Sequence, residues 1–267
     1  MRAISLAKFG EGLVNEDAAV AKKEVIAVSD GAGGGGVFAE RWSECLVKHL
    51  PDEPIADYEA FDKWIDNIWE PFYNDCEKEA KRIGGLFLNK FYDEGSFATL
   101  VAVWKDGSWI SYGDSVAFCY NRKTGKLQHS FTRLADFNNP PYLINCKDSL
   151  EEKGFRNGKF KIDKDCIVFA ASDTLAHYIL MMYKVAYSTK YVEELQEAVD
   201  AQTKNSNFIK MAMSLSSIDF EKEVIQLLMN CHRDFLLRNH IRMLKNKRLI
   251  GHDDYSLVIS LLSTKNR

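Results

Sequence analysis

The sequence lacks four features that would each indicate a particular class of protein. No apolar run approaches the roughly 20 residues that span a bilayer, and the first eight residues are too soon interrupted by Lys8 to form a signal peptide. The six cysteines include no C-x-x-C pair, which excludes the common zinc and redox motifs. With 35 Lys and Arg against 38 Asp and Glu, no excess of positive charge is available for nucleic acid. We therefore expect a cytoplasmic protein that binds neither nucleic acid nor a membrane.

Internal repeats, linkers and low-complexity segments are also missing, which predicts one domain over residues 1–267. Apolar residues at helical spacing predict helices over 37–50 and 57–82, the second kinked or divided at Pro71. After these two helices, the sequence predicts β-hairpins, a flap-like loop, a buried strand, a long helical segment and a closing strand. The β-rich stretches are 97–104, 108–112 and 116–120, the flap-like loop is about 130–165, a buried strand is 166–171, the helical segment is about 174–247, and a closing strand is 255–262.

The stretch from Val25 to Gly36 is an apolar strand that ends in Asp30 and runs into a glycine-rich turn. Three interpretations are open for it. Residues 31–36 fit G-x-G-x-x-G, which would make a dinucleotide-binding turn, although a carboxylate beside a pyrophosphate would be repulsive. In the second interpretation Asp30 is a helix cap, and in the third it is a ligand of a cation.

Carboxylates recur at the ends of predicted strands. If these strands share a sheet, their ends gather the carboxylates in one cleft, where they repel one another unless cations are bound. A ligand set of oxygen atoms alone favours hard cations such as Mg²⁺ or Mn²⁺, and two such ions can activate water for phosphate ester hydrolysis. The positions concerned are Glu16, Asp17, Asp30, Asp114, Asp173 and Asp253.

Six short motifs in order resemble those of the metal-dependent type 2C (PPM) Ser/Thr protein phosphatases, in particular the bacterial members. The resemblance extends over about residues 3–263. The motifs are Asn15-Glu16-Asp17-Ala18, Val28-Ser29-Asp30-Gly31-Ala32-Gly33-Gly34, Gly95-Ser96 with Ala98-Thr99, Tyr112-Gly113-Asp114-Ser115, Ala171-Ser172-Asp173 and Asp253-Asp254-Tyr255-Ser256.

The resemblance implies an α+β fold, a four-layer α-β-β-α sandwich of two antiparallel sheets flanked by helices. It also implies two Mn²⁺ or Mg²⁺ ions. One would be held by Asp30, Asp173 and Asp253, and the other by Asp30, the Gly31 carbonyl and Glu16. Asp17 would be an acceptor outside these ligands, and Asp114 with Asp173 matches the position of a third, weaker ion.

The sequence departs from the family pattern at three places. Gly12 replaces the Arg that usually binds the phosphate, with Lys8 or Arg41 as candidate substitutes, and Ala32 replaces a His that bacterial members also lack. The helical segment of about 174–247 diverges after Asp173. Loss of the Arg is expected to weaken binding of the substrate phosphate more than binding of metal.

The function that the resemblance implies is hydrolysis of phospho-Ser/Thr monoesters in phosphoproteins by a metal-bridging hydroxide, with Asp30, Asp173 and Asp253 as the essential carboxylates. A cognate Ser/Thr kinase, or its targets, would then be partners. The alternative is an inactive pseudophosphatase that acts as a scaffold for protein interactions, suggested by Gly12 and by the divergent helices. A dinucleotide-binding oxidoreductase is the third hypothesis.

Overall fold

The computed structural model describes residues 1–260, and its strands correspond to the short apolar and β-branched stretches of the sequence. In chain order they are β1 Arg2–Leu6, β2 Ala18–Ala21, β3 Val25–Ser29, β4 Phe97–Ala98, β5 Leu100–Trp104, β6 Ser108–Tyr112, β7 Val116–Asn121, β8 Lys126–His129, β9 Ile144–Asn145, β10 Phe155–Lys159, β11 Cys166–Ala171 and β12 Tyr255–Ser260.

Several α-helices of residues 1–260 bury one face, as expected for helices that pack on a sheet, whereas the helix over Asp173–Ala186 is buried on all sides from Leu175 to Lys184. The α-helices are α1 Ala39–His49, α2 Tyr58–Ile83, α3 Gly85–Glu94, α4 Asp173–Ala186, α5 Val192–Asp200, α6 Lys204–Met213, α7 Gln226–Asn230 and α8 Asp234–Asn246. None of the described helices is long and apolar enough to cross a membrane.

Two five-stranded sheets form the middle of the structure. One has the order β1-β12-β11-β7-β8 and the other β10-β6-β5-β3-β2, while β4 and β9 make a separate short pair. Every strand pair in residues 1–260 is antiparallel. A dinucleotide-binding turn of the Rossmann type requires parallel strands with crossover helices, so this sheet arrangement excludes that interpretation of residues 31–36.

Successive residues of a strand point to opposite faces of its sheet, so each strand contributes side chains to two layers of the core. In β3, Val25 and Ala27 pack with the α1–α3 side, whereas Ile26 and Val28 face the other sheet. Leu175 and Ile179 of α4 pack on the outer face of the first sheet, together with the apolar faces of α5 to α8. The order of layers is therefore helix, sheet, sheet, helix, which confirms the predicted α+β sandwich.

Several predicted elements differ in detail from those observed. Pro71 is predicted to kink or divide the second helix; α2 continues through it, so division of the helix is wrong. The predicted strand over 97–104 is interrupted at Thr99. The loop predicted over 130–165 contains β9, β10 and two short 3₁₀ turns. Residues 261–267 of the predicted domain, including the end of the predicted strand 255–262, lie outside the described residues.

Candidate metal centre

Strand pairing brings two of the predicted acidic positions side by side. Ala18 at the start of β2 pairs with Ser29 at the end of β3. Because the strands are antiparallel, the residue before Ala18 and the residue after Ser29 lie at the same edge. Asp17 and Asp30 are these two residues.

The other sheet contributes three more carboxylates at the same end of the molecule. The end of β11 pairs with the starts of β7 and β12. Asp173 therefore follows β11 near the point where Asp114 precedes β7 and Asp253 precedes β12. The sandwich thus collects carboxylates from both sheets, as the pattern of strand ends predicts.

The backbone of Asp30 is fixed by the break between β4 and β5. Its carbonyl accepts a hydrogen bond of 2.8 Å from the Thr99 N–H, and its own N–H donates to Thr99 Oγ1 at 3.2 Å. Thr99 Oγ1 is in turn 2.8 Å from the hydroxyl of Ser115, beside Asp114. The interruption at Thr99 therefore positions Asp30 rather than simply weakening the sheet.

Burial and mutual repulsion raise the pKa values of these carboxylates. For Asp30 the pKa lies well above its ordinary value, because of burial first and then repulsion by its acidic neighbours. The same two causes raise the pKa of Asp17 to about 8, of Asp114 to about 8 and of Asp173 to about 6. The neighbours that act on Asp30 are Asp17, Asp173, Asp114 and Asp253.

Exposure divides the acidic residues of the centre into two groups. Asp30, Asp114, Asp173 and Asp253 each keep part of their surface open to solvent, whereas Asp17 is buried. This is the expected difference between carboxylates at the floor of a cleft and one behind them. We call the partly exposed region of these four residues the acidic cleft, since a cation from solvent can reach them directly.

Both carboxylate oxygens of Asp17 are buried without a hydrogen-bond partner in residues 1–260. The hydroxyls of Ser172 and Ser256 lie close enough to moderate the rise in its pKa, but neither makes a hydrogen bond of ordinary geometry with it. Buried polar atoms of this kind are normally paired, or they interact with water or an ion. Asp17 therefore fits a role toward a bound cation or its water shell.

Asp254 was not assigned to the site from the sequence. It holds in place the loop that carries Glu16 and Asp17. Its two carboxylate oxygens accept hydrogen bonds of 2.7 Å from the backbone N–H groups of Lys8 and Glu16. Both oxygens are thereby engaged, whereas the adjacent Asp253 is partly exposed and raises the pKa values of Asp30 and Asp173. The only sequence signal for this role is the Asp-Asp pair before β12.

Three glycines of the glycine-rich turn lie too close to neighbouring atoms to carry a Cβ without displacement, and for Gly36 the nearest atom is the Gly95 carbonyl oxygen, at 2.6 Å. A Cβ on Gly31 would lie 2.8 Å from the Ala39 carbonyl oxygen, and a Cβ on Gly33 would overlap the Glu16 carboxylate. By contrast, Gly34 has no heavy atom within 4 Å of the position of a Cβ. The turn therefore makes room for Glu16 at the edge of the centre.

Solved structures provide the comparison with known proteins. No protein-family model and no curated protein matches this chain. The catalytic domain of the serine/threonine protein phosphatase PstP, in complex with two manganese ions, is 15% identical with a TM-score of 0.51, covering 97% of this chain and 95% of that one. The PstP/Ppp phosphatase of Mycobacterium tuberculosis is 14% identical with a TM-score of 0.53 and covers 97% of each chain.

A third neighbour is PppA, a regulatory component of T6SS in Pseudomonas aeruginosa, with 16% identity, a TM-score of 0.50, and coverage of 97% of this chain and 95% of that one. The chain has the type 2C phosphatase fold. The resemblance recognised in the sequence motifs is confirmed at the level of the fold.

The type 2C fold places Lys8, rather than the residue at the usual Arg position, beside the carboxylates. Lys8 Nζ lies 3.5 Å from Glu16 Oε2. Although burial opposes its charge, the carboxylates of Asp254, Glu16 and Asp253 raise the pKa of Lys8. Gly12 is exposed in a tight turn with φ of 69°, and no heavy atom lies within 4 Å of where its Cβ would be.

Arg41, the other candidate substitute in this type 2C fold, is engaged elsewhere. Its guanidinium pairs with Asp75 at 2.5 Å and lies 5.0 Å from the centre of the Phe38 ring. Of the two candidates, only Lys8 is placed to contact a ligand of the acidic cleft.

The carboxylates lie in one region of the type 2C fold, but their side chains are not arranged as a complete set of metal ligands. Within residues 1–260, no group of three His, Cys, Asp or Glu side chains is arranged to hold a metal ion. The donor set is nevertheless made only of oxygen atoms, it is self-repelling, and it includes the unpartnered oxygens of Asp17. These properties fit hard divalent cations.

Proposed function

We propose that this chain is a cytoplasmic phosphatase that requires Mn²⁺ or Mg²⁺ and hydrolyses phospho-Ser/Thr monoesters in proteins. The observation that carries the proposal is the gathering of five carboxylates at one end of a type 2C fold, where repulsion by Asp17, Asp114, Asp173 and Asp253 adds to burial in raising the pKa of Asp30. Its substrates would be phosphoproteins, among them the targets of a Ser/Thr kinase.

The proposed ligand sets divide the cleft between two ions. Asp30, Asp173 and Asp253 would hold one ion, and Asp30, the Gly31 carbonyl and Glu16 the other. Asp17 would accept hydrogen bonds from behind these ligands. A third, weaker ion would bind Asp114 together with Asp173. The partial exposure of Asp30, Asp114, Asp173 and Asp253 supports these roles.

The ions would supply Lewis-acid activation of the attacking water and neutralise charge on the phosphoryl group. The remaining contributions come from the chain itself. Asp254 holds Lys8 and Glu16 in place through their backbone N–H groups. We propose that the Lys8 ammonium, which lies 3.5 Å from Glu16, binds a phosphate oxygen in place of the missing Arg.

We further propose that the segment 130–165 helps to select substrates, as the resemblance implies. A pocket of about 240 Å³ lies between this segment and the acidic cleft. It is lined by Asp114 and by Phe131, Tyr142 and Arg156 of the segment. A substrate residue next to the phosphoamino acid would therefore contact the segment directly.

The alternative function, a scaffold without turnover, rests on Gly12 in place of the Arg and on the divergent helices after Asp173. It predicts that the protein binds a partner and hydrolyses no phosphopeptide. The two functions differ in a single measurable property, which is hydrolysis that depends on the metal.

The experiment that tests the proposal measures hydrolysis of para-nitrophenyl phosphate and of a phosphothreonine peptide in EDTA, Mg²⁺ or Mn²⁺. The wild-type protein is compared with Asp173→Asn and with Asp66→Asn, a matched change at an exposed residue of α2. We expect turnover that requires metal, is retained in Asp66→Asn, and falls to the EDTA level in Asp173→Asn. Calorimetric titration with Mn²⁺ measures metal binding separately from turnover.

Full activity of Asp173→Asn would overturn the site assignment. If Mn²⁺ binds but neither substrate is hydrolysed, the scaffold function is supported instead. If Mn²⁺ neither binds nor activates, the carboxylates are not a metal centre.

A further inference from the structure

A groove with an excess of positive charge borders the acidic cleft. This basic groove, as we name it, lies between α6, α8 and the loop before β12, and has a volume of about 940 Å³. Thr174 and Asp253 form part of its lining, so it is continuous with the proposed metal centre. The cationic residues that line it are Lys204, Lys210, Lys245 and Arg248, against Asp253 as the acidic one.

The cations of the basic groove are not neutralised by the fold. None of the four forms an ion pair with an acidic side chain of residues 1–260. Lys204, Lys210 and Arg248 are exposed. Lys245, which is partly buried, donates a hydrogen bond of 2.7 Å to His252 Nδ1, and burial lowers the pKa of its ammonium group. The groove therefore presents like charges whose field is not cancelled locally.

Helix α8 extends this charge toward Lys8. The cationic groups of Arg238, Arg242 and Lys245 lie 5.4, 5.6 and 4.9 Å from the centre of the Phe9 ring. Contacts of this kind hold cations over an aromatic face without neutralising them. Phe9 follows Lys8, which contacts Glu16 at the cleft. The basic face of α8 is thus joined to the edge of the proposed centre.

We propose that the basic groove binds an acidic peptide segment of the phosphoprotein substrate, beside the phosphorylated residue that enters the acidic cleft. The inference rests on the proposed function and adds a substrate class to it. The substrates would be phosphoproteins with several Asp, Glu or further phosphorylated residues near the site of hydrolysis.

The shape and lining of the groove favour a peptide as the occupant. Its volume is in the range of pockets that enclose sizeable ligands, about 300–1,000 Å³. Its walls include Phe208, Met211 and Ile250 as well as the cations. An extended peptide offers carboxylates at some positions and apolar atoms at others, which matches this mixture. Charge complementarity of this kind also speeds encounter and selects among substrates.

Binding can be tested without metal and without hydrolysis. The probe is a fluorescein-labelled peptide with three Glu on each side of an unphosphorylated Thr, measured by anisotropy in EDTA beside a peptide with Gln in place of Glu. The test variant is Lys204→Gln/Lys210→Gln/Arg248→Gln. The matched control, Lys63→Gln/Lys78→Gln/Lys126→Gln, removes the same charge at exposed residues outside the groove. We expect the Glu peptide to bind about tenfold more weakly to the test variant and unchanged to the control, given modest gains per surface charge.

Equal binding of the Glu and Gln peptides, or equal binding by the test and control variants, would overturn the proposal. A single-stranded oligonucleotide of the same charge serves as competitor. If it displaces the Glu peptide at the same concentration as unlabelled peptide does, the groove is a general polyanion site, and the assignment to a peptide is wrong.

A second measurement separates this inference from the proposed function. With Mn²⁺, phosphothreonine peptides flanked by Glu or by Gln are compared by kcat/KM. We expect the Glu-flanked peptide to be preferred by the wild type and the control variant, and the preference to disappear in the test variant with kcat retained. Absence of hydrolysis of both peptides, with binding in EDTA intact, would refute the phosphatase function and leave the acidic-peptide site supported.

Discussion

Replacing Asp17 with Asn should stabilise the metal-free protein while it impairs the centre. Asp17 is buried, its two carboxylate oxygens have no hydrogen-bond partner in the described residues, and its pKa is raised to about 8. The ionised carboxylate is therefore unfavourable in the folded state unless a cation is bound. Asn has nearly the same shape and carries no charge.

The expected magnitude follows from the pKa. The difference between about 8 in the folded protein and an ordinary value of 3.8 would correspond to about 5 to 6 kcal/mol for an independent group. Two effects reduce this gain. Asp173 and Asp254 share the repulsion, and a buried amide without partners costs about 1–3 kcal/mol. We expect Asp17→Asn to gain about 2–4 kcal/mol in the free energy of unfolding at pH 8.

The sign of the pH dependence gives a second readout. Since the pKa of Asp17 is higher in the folded than in the unfolded state, the folded protein holds the extra proton between about pH 4 and pH 8. Stability of the wild type in EDTA should therefore fall as pH rises through this range. The fall should be shallower in Asp17→Asn, so the two proteins should be most similar near pH 4.

The assay is urea unfolding in EDTA at pH 5, 6, 7 and 8, followed by circular dichroism. Asp66→Asn, on the exposed face of α2, is the control and should follow the wild type. Addition of Mn²⁺ should stabilise the wild type more than Asp17→Asn. A variant that is less stable than the wild type at pH 8, or a wild type whose stability rises from pH 5 to pH 8, would refute the reasoning.

Two further predictions concern the edge of the cleft. Gly33→Ala should displace the Glu16 carboxylate and weaken binding of the second Mn²⁺, measured by calorimetry. Gly34→Ala, whose Cβ would meet no atom within 4 Å, should leave that affinity unchanged. Equal affinities of the two variants would show that the turn does not position Glu16. Lys8→Gln should raise KM for a phosphothreonine peptide by about tenfold or more, as expected for a lost charge-assisted hydrogen bond, with metal affinity little changed. Arg41→Gln is its control, and an unchanged KM in Lys8→Gln would exclude Lys8 as the phosphate ligand.

The sequence predicted the gathering of carboxylates because the signal is local. Asp30 and Asp173 each follow an apolar run that is long enough for a buried strand, and both runs are central strands of the observed sheets. Antiparallel hairpins then determine which strand ends meet. The layer order came from the family resemblance together with these elements, and the roles of the carboxylates as ligands remain predictions.

Other features could not be predicted because their cause is tertiary. Strand β10, Phe155–Lys159, is polar and contains Gly158, yet it pairs with β6 at the sheet edge. Pro71 lies inside α2, where the packing of that helix against its sheet overrides a local breaker. Asp254 and Lys8 come from opposite ends of the described chain, so their contact leaves no local trace in the sequence.

The position of β12 has a consequence for folding of the protein. This strand, residues 255–260, lies between β1 and β11, so β1 is separated from the rest of the first sheet until β12 is inserted. The same insertion delivers Asp253 to the cleft and Asp254 to the loop of Lys8 and Glu16. Before this insertion, Asp253 and Asp254 are absent from the sheet edge where Asp17 and Asp30 meet, so the acidic cluster is completed only when β12 pairs.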